Sequence, residues 1–342
     1  MTDRLDTMGL WDATLGLPEQ IAAAVLEPGA LRLPPHDQLQ HVAVLGAGPA
    51  GLASDVVVAT AGPLLPVPLV AVQGYTLPSF VDRGTLVLAL SHDGEDEEVN
   101  EAAQEAALAG ATVVGISAGG TLAELCGGWA SPHVAVAAGF PSSRAALGAL
   151  AVPALCVLED VGFFPGARAW IAAAVTQLQL RRDALSRSGN AMEAMARRIG
   201  RTFVIAHGGG DVGAVAAHRF KSQVNANAKV PAWWAVHPDL GHDELAGWGQ
   251  HGDITRQLIT VVTFRHDSEH PQVDRRFGLV AEQIGEVVAG IEEVVAEGDG
   301  DIAQLLDLIF QGDLCSLHLA AEEGIDPGPL PAVDTVQAAL RI

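Results

Sequence analysis

TLVLALSHDGEDEE, residues 85–98, is the stretch on which the fold turns. Thr85 to Leu90 is an unbroken apolar run of strand length. Continuous rather than alternating apolar residues mark a strand buried on both faces, as in a parallel sheet covered by helices. The run stops at Ser91, turns at Gly94 and enters a helical pattern at Glu95. Ligands of open α/β sheets sit at such junctions, because the helix N-terminus presents free N–H groups just beyond the strand ends. Here the junction carries Asp93, Glu95, Asp96, Glu97 and Glu98. Carboxylates suit a helix N-terminus and repel a phosphate.

Upstream, HVAVLGAGPAGLASDVVVATAG (41–62) reads as a strand at Val42–Leu45, a glycine turn at Gly46–Gly51 and a helix from Leu52 to Ala61. VPLVAVQ (67–73) is a second strand. Downstream come a helix over Glu95–Ala109, a strand ATVVGIS (111–117) and a short helix at Leu122–Cys126. A fifth strand, HVAVAAG (133–139), and an apolar helix from Ser142 to Leu158 complete the series. The alternation of strand and helix predicts a doubly wound, three-layer domain. TFVIAHGGGDVGAVAAHRF (202–220) repeats the strand, glycine turn and helix of residues 41–60, so a second domain of the same type is expected. Its further strands are AWWAVH (232–237), LITVVTFR (258–265) and GIEEVVAE (290–297), with helices at 271–288, 301–321 and 330–341. The expected organisation is a helical lead-in at 1–34, a first domain at 35–160, a helical linker at 161–200 and a second domain at 201–342 with C-terminal helices.

The chain has 342 residues with 49% hydrophobic content, enough for two such cores. Aspartate and glutamate number 41 against 19 lysines and arginines, a formal charge of -22. That balance, without any basic run, argues against nucleic acid and against an anionic membrane surface. Cys126, Cys156 and Cys315 are odd in number and widely spaced, and read as buried apolar residues rather than a disulfide framework or metal pair. No metal site is expected; His207, His218, His251 and His266 are read as scattered surface or structural residues. A polar N-terminus and the lack of a spanning apolar stretch lead to the expectation of a soluble, cytoplasmic protein.

GAGPAG (46–51) has the G-x-G-x-x-G spacing of a dinucleotide turn. Pro49 lacks the N–H that a phosphate would use, and the next strand ends in Gln73 rather than an acid. A tight packing turn therefore stands beside a ligand turn, with Gly46 and Gly48 the candidate ligand contacts.

Five blocks in order, YTLPSFV (75–81) with TLVLALS, SRAALG (143–148), RFKSQVNANAKVPAW (219–233), GHDELAGW (241–248) and LIFQGDLCSLHLAAEEGIDPGPL (308–330), make the chain resemble the bifunctional phosphoglucose/phosphomannose isomerases. The resemblance spans roughly residues 40–340. It implies two α/β/α sugar isomerase (SIS) domains with mainly parallel sheets. It also implies aldose–ketose isomerisation of phosphosugars without a cofactor, and a homodimer whose sites draw on both subunits.

The same resemblance assigns ligand positions to the loop. Ser91, Gly94 and Glu97 keep its outline, while Asp93, Asp96 and Glu98 stand where hydroxyl residues would hold phosphate. Arg144 matches a retained arginine and His242 the histidine of ring opening. The general base falls on Ala226, which cannot accept a proton, and a lysine falls on Gln337. Phosphate grip, base and lysine are altered together. The expectation is a divergent member that has lost the parental reaction and binds a carbohydrate or acts in regulation. The alternative is an active sugar-phosphate isomerase with relocated residues: Asp93, Glu95, Asp96 or Glu244 as base, and Lys221, Lys229 or Arg219 on the phosphate.

Overall fold

The structure, a computed structural model, describes residues 5–340. The first four residues of the lead-in and residue 341, the end of the expected last helix, lie outside the described residues. The chain divides into two compact units. One comprises Gly16–Gln179 with Gly298–Gln304; the other comprises the chain up to Leu15, Leu180–Glu297 and the chain from Leu305 onward.

The first unit is built on β1 (His41–Leu45), β2 (Leu69–Val72), β3 (Thr85–Leu90), β4 (Thr112–Ser117) and β5 (His133–Ala135). All pairings are parallel, in the order β2-β1-β3-β4-β5. Every residue of β3 is buried, as its unbroken apolar run requires. Alternate side chains of β1 and β3, namely Ala43, Leu45, Val87 and Ala89, pack with Val99, Ala102, Ala103 and Ala106. Those four recur at helical spacing along one face of the helix Glu97–Leu108. The intervening strand residues point to the other face, which the helices Gly48–Ala61 and Leu147–Val161 cover. β5 is shorter than its apolar run, because β4, its one neighbour among the described residues, ends at Ser117. The Val136 N–H takes the last carbonyl, that of Ser117, at 2.9 Å. The helix expected from Ser142 starts at Leu147, after a 3-10 turn at Ser143–Ala145, and runs through Pro153 to Val161.

The second unit is built on β6 (Phe203–Gly209), β7 (Ala232–His237), β8 (Ile259–Arg265) and β9 (Gly290–Val295). They are again all parallel, in the order β7-β6-β8-β9. Leu240, Val261, Val280, Ile284 and Val288 form a core cluster on this sheet. A buried Arg219–Asp313 pair, with two bonds of 2.8 and 3.0 Å, ties the helix Gly210–Gln223 to the helix Asp301–Glu322. The last described helix, Pro331–Leu340, buries none of its residues and exposes Val333, Val336 and Leu340.

Both sheets are parallel and flanked by helices, the two-domain α/β architecture that the alternating pattern predicted. All three cysteines are free and buried; burial pushes the Cys315 thiol up to about 12. No described helix is long and apolar enough to cross a membrane.

Candidate functional site

In each sheet the strand order reverses beside the first strand, between β1 and β3 and between β6 and β8. That reversal opens a crevice at the strand C-termini, where ligands of this architecture bind. At the first crevice the turn after β1 meets the loop after β3.

The first turn owes its glycines to packing. A Cβ on Gly46 would lie 2.5 Å from the Ala50 carbonyl oxygen and the Ser54 Oγ. Gly48 adopts φ +50°, in the left-handed region. The Gln73 amide spans the turn, donating to the Gly51 carbonyl at 3.2 Å and to Asp55 at 2.6 Å. Gly46 and Gly48 thus shape the rim of the crevice, and their conformation is explained without a ligand.

The loop after β3 is closed on itself. The Ser91 hydroxyl donates to the Asp96 carboxylate at 2.7 Å and accepts from the N–H groups of Gly94 (3.1 Å) and Asp96 (3.4 Å). A serine hydroxyl has one proton and two lone pairs, so its capacity is filled. Asp93 accepts from the Glu95 N–H at 3.0 Å. Glu95 reaches the neighbouring loop and accepts from the Thr121 N–H (3.0 Å) and hydroxyl (2.8 Å). Thr121 lies in the first turn of the helix Gly120–Trp129, so a carboxylate of the chain itself occupies that positive end. Burial raises the Asp96 carboxyl above its usual range, and Asp93 and Glu98 add to the effect. The Ser91 hydrogen bond opposes both. Gly94 makes this closure possible: at φ +82°, a Cβ there would lie 2.0 Å from the Gly119 carbonyl oxygen.

Arg144 is buried in the 3-10 turn after β5 and donates to the Ser142 hydroxyl at 3.3 Å. The remaining sequence-named positions lie in the second unit. Ala226 sits in a π-helical turn, Val224–Ala228. His242 is exposed at the end of a short 3-10 turn after β7, and Gln337 is exposed on the last described helix. Lys229 donates to the carbonyls of Ala226 and Pro327, and Arg219 is held by Asp313.

Sequence reasoning passed over a histidine cluster at the second crevice. His207, within β6, and His266, just after β8, are buried, so of the two readings, surface or structural, the surface one does not hold for them. His237, the last residue of β7, joins them. His207 Nε2 pairs with Glu244 at 2.8 Å, and Glu244 also accepts from the Trp248 indole at 3.2 Å. His266 bridges Ser268 (2.8 Å) and the Gly209 carbonyl (2.9 Å). His237 packs edge-on against Phe277, with ring centroids 4.3 Å apart. Burial and the surrounding charges of His207, Arg276 and Arg265 lower its pKa to about 4. The signal was positional: each of the three lies at or beside the C-terminal end of a strand. Among the described residues, no group of three or more His, Cys, Asp or Glu side chains is arranged to hold a metal ion.

Comparison with known proteins agrees with this architecture. Residues 189–340 match the family described as the bacterial phospho-glucose isomerase C-terminal SIS domain. The chain is 27% identical to the bifunctional phosphoglucose/phosphomannose isomerase of Caldicellulosiruptor bescii over 335 residues, covering 96% of this chain and 98% of that one. Among solved structures, it is similar in fold to the C-terminal domain of glucosamine-fructose-6-phosphate aminotransferase from Francisella tularensis. The TM-score is 0.64 at 14% identity, covering 94% of this chain and 96% of that one. A glucose-6-phosphate isomerase-like protein from Thermus thermophilus gives 0.60 at 17% identity, with 94% and 93% covered. The chain is an SIS-fold protein of the phosphosugar-isomerase kind, related at low identity to the bifunctional phosphoglucose/phosphomannose isomerases.

Proposed function

We propose that this protein no longer isomerises phosphosugars and instead binds a carbohydrate that carries no phosphate, in a sensing or regulatory role. The observation that carries the proposal is the closed loop after β3. Its serine hydroxyl is spent on Asp96, and Glu95 occupies the neighbouring helix N-terminus. A phosphate entering there would have to displace internal carboxylates and then lie beside them, a like-charge arrangement that costs several kcal/mol at moderate effective dielectric, as an order of magnitude. Ala226 adds to the case, since its methyl group cannot take a proton from a sugar carbon. The acidic loop complements an ammonium group, so an amino sugar is the ligand class this site fits best.

The alternative, an active isomerase with relocated residues, draws less support. Arg219 and Lys229 are engaged by Asp313 and by backbone carbonyls, and Glu244 by His207 and Trp248. We propose also that the chain acts as a homodimer in the cytoplasm. The unburied helix Pro331–Leu340, with Val333, Val336 and Leu340 exposed, supports an apolar contact with a second copy.

A thermal-shift panel of hexose 6-phosphates, amino sugars and neutral sugars tests the ligand class. Stabilisation by glucosamine but not by glucose 6-phosphate is expected. Stabilisation by hexose 6-phosphates alone would refute the reading.

A further inference from the structure

The second unit holds a cavity of about 190 Å³ at the C-terminal end of β7, lined by His237, Arg276, Gln283, Leu245, Leu279 and Val280. His237 is 1% exposed, and neither ring nitrogen has a hydrogen-bond partner among the described residues. Buried polar atoms are ordinarily paired, so an imidazole left with two open positions calls for a partner. Phe277 braces the ring from one side. Arg276 makes no hydrogen bond or ion pair among the described residues. Its neighbour Arg265, by contrast, is held by Glu269, Asp274 and Glu293. In a chain with 41 acidic and 19 basic residues, a cation without an acid beside an unsatisfied imidazole is a feature built for an anion. Glu244, whose charge acts on His237, is turned to His207 and Trp248.

The rest of the lining sets the body of the ligand. Leu245, Leu279 and Val280 offer no hydrogen bonds, which disfavours a polyol. The volume slightly exceeds the roughly 150 Å³ that accommodates a benzene ring. A guanidinium suits the planar fork of a carboxylate. With its pKa lowered to about 4, His237 is neutral near pH 7 and offers one N–H and one lone pair.

We propose that this cavity binds a small monocarboxylate with a compact apolar body. Arg276 and His237 hold the carboxylate, and Leu245, Leu279 and Val280 enclose the body. The site is independent of the carbohydrate reading of the first crevice.

Titration calorimetry on the full chain, with benzoate and 4-methylpentanoate as probes, tests this. Inorganic phosphate and glucose 6-phosphate serve as anions of other chemistry. Benzoate or 4-methylpentanoate is expected to bind, and Arg276→Gln to weaken that binding about tenfold or more. Arg275→Gln, at an exposed position of the same helix, is expected to leave it unchanged. If Arg276→Gln fails to fold, His237→Gln takes its place with the same expected direction. Three results would overturn the proposal: no binding of either carboxylate up to about 10 mM, equal affinity in the variant, or tighter binding of either phosphate than of both carboxylates.

Discussion

Ser91 gives its hydroxyl proton to Asp96 across 2.7 Å, and the residue that takes it stands at the head of the helix Glu97–Leu108. The carboxylate does for the loop what a bound anion would otherwise do. The arrangement has a stability consequence. A carboxyl whose pKa is raised on folding binds more protons in the folded state, between its unfolded and folded values. Its contribution is therefore present at low pH and lost as pH rises through the folded value. Asp96→Asn keeps an acceptor for Ser91 and removes the buried charge. It is expected to stabilise the protein at pH 7 by about 1 kcal/mol or less, with the gain vanishing near pH 4. Urea denaturation at the two pH values measures it.

Gly94 admits no side chain. Its φ of +82° and the 2.0 Å approach of a Cβ to the Gly119 carbonyl oxygen predict that Gly94→Ala forces the two loops apart. A loss of about 2–4 kcal/mol in denaturant unfolding is expected, because backbone cannot yield as a flexible side chain can. A change below about 0.5 kcal/mol would contradict the described closure.

His237 makes the second unit sensitive to acid. Its pKa falls to about 4 on folding from the ordinary 6.5, so between those values the unfolded chain binds the extra proton. Stability is therefore unaffected above about pH 6.5 and declines as pH falls toward 4, by up to about 3 kcal/mol. His237→Gln should flatten that part of the stability–pH curve. An unchanged slope in the variant would show that other groups dominate.

The Arg219–Asp313 pair is structural, with both side chains buried. Asp313→Ala leaves a buried guanidinium without this partner and is expected to cost about 3–5 kcal/mol. Arg219→Met combined with Asp313→Leu should recover most of it. If Asp313→Ala were neutral for folding, Arg219 would be available for a ligand and the relocated-residue reading would gain.

Sedimentation addresses the unburied helix Pro331–Leu340. A dimer is expected for the full chain, and Val336→Asp is expected to shift it toward monomer. A wild-type monomer at micromolar concentration would contradict the homodimer.

The first sheet was legible because its central strand carries an unbroken apolar run and its helix Glu97–Leu108 shows Val99, Ala102, Ala103 and Ala106 at helical spacing. Edge elements read less well. β5 stops where its neighbour stops, a limit set by β4 and not by the HVAVAAG run itself. At the candidate site, residue types showed that carboxylates had entered the loop, but not where they would turn. The reach of Glu95 to Thr121 depends on the contact of Gly94 with Gly119, from a different βα unit. His207, His237 and His266 are separated by about thirty residues each, one per strand, so no local spacing announced them. Only the strand pairing brings their strand ends to one edge.

The most direct test of lost isomerisation is incubation of the protein with fructose 6-phosphate in D₂O, followed by NMR at C1 of the sugar, the carbon whose proton the isomerisation removes. Proton abstraction leaves deuterium there even when net conversion is small. The account predicts no deuterium above the protein-free rate and no glucose or mannose 6-phosphate. Deuterium entering C1 at an ordinary enzyme turnover of about 1 s⁻¹ or more, with an aldose 6-phosphate appearing alongside, would contradict it.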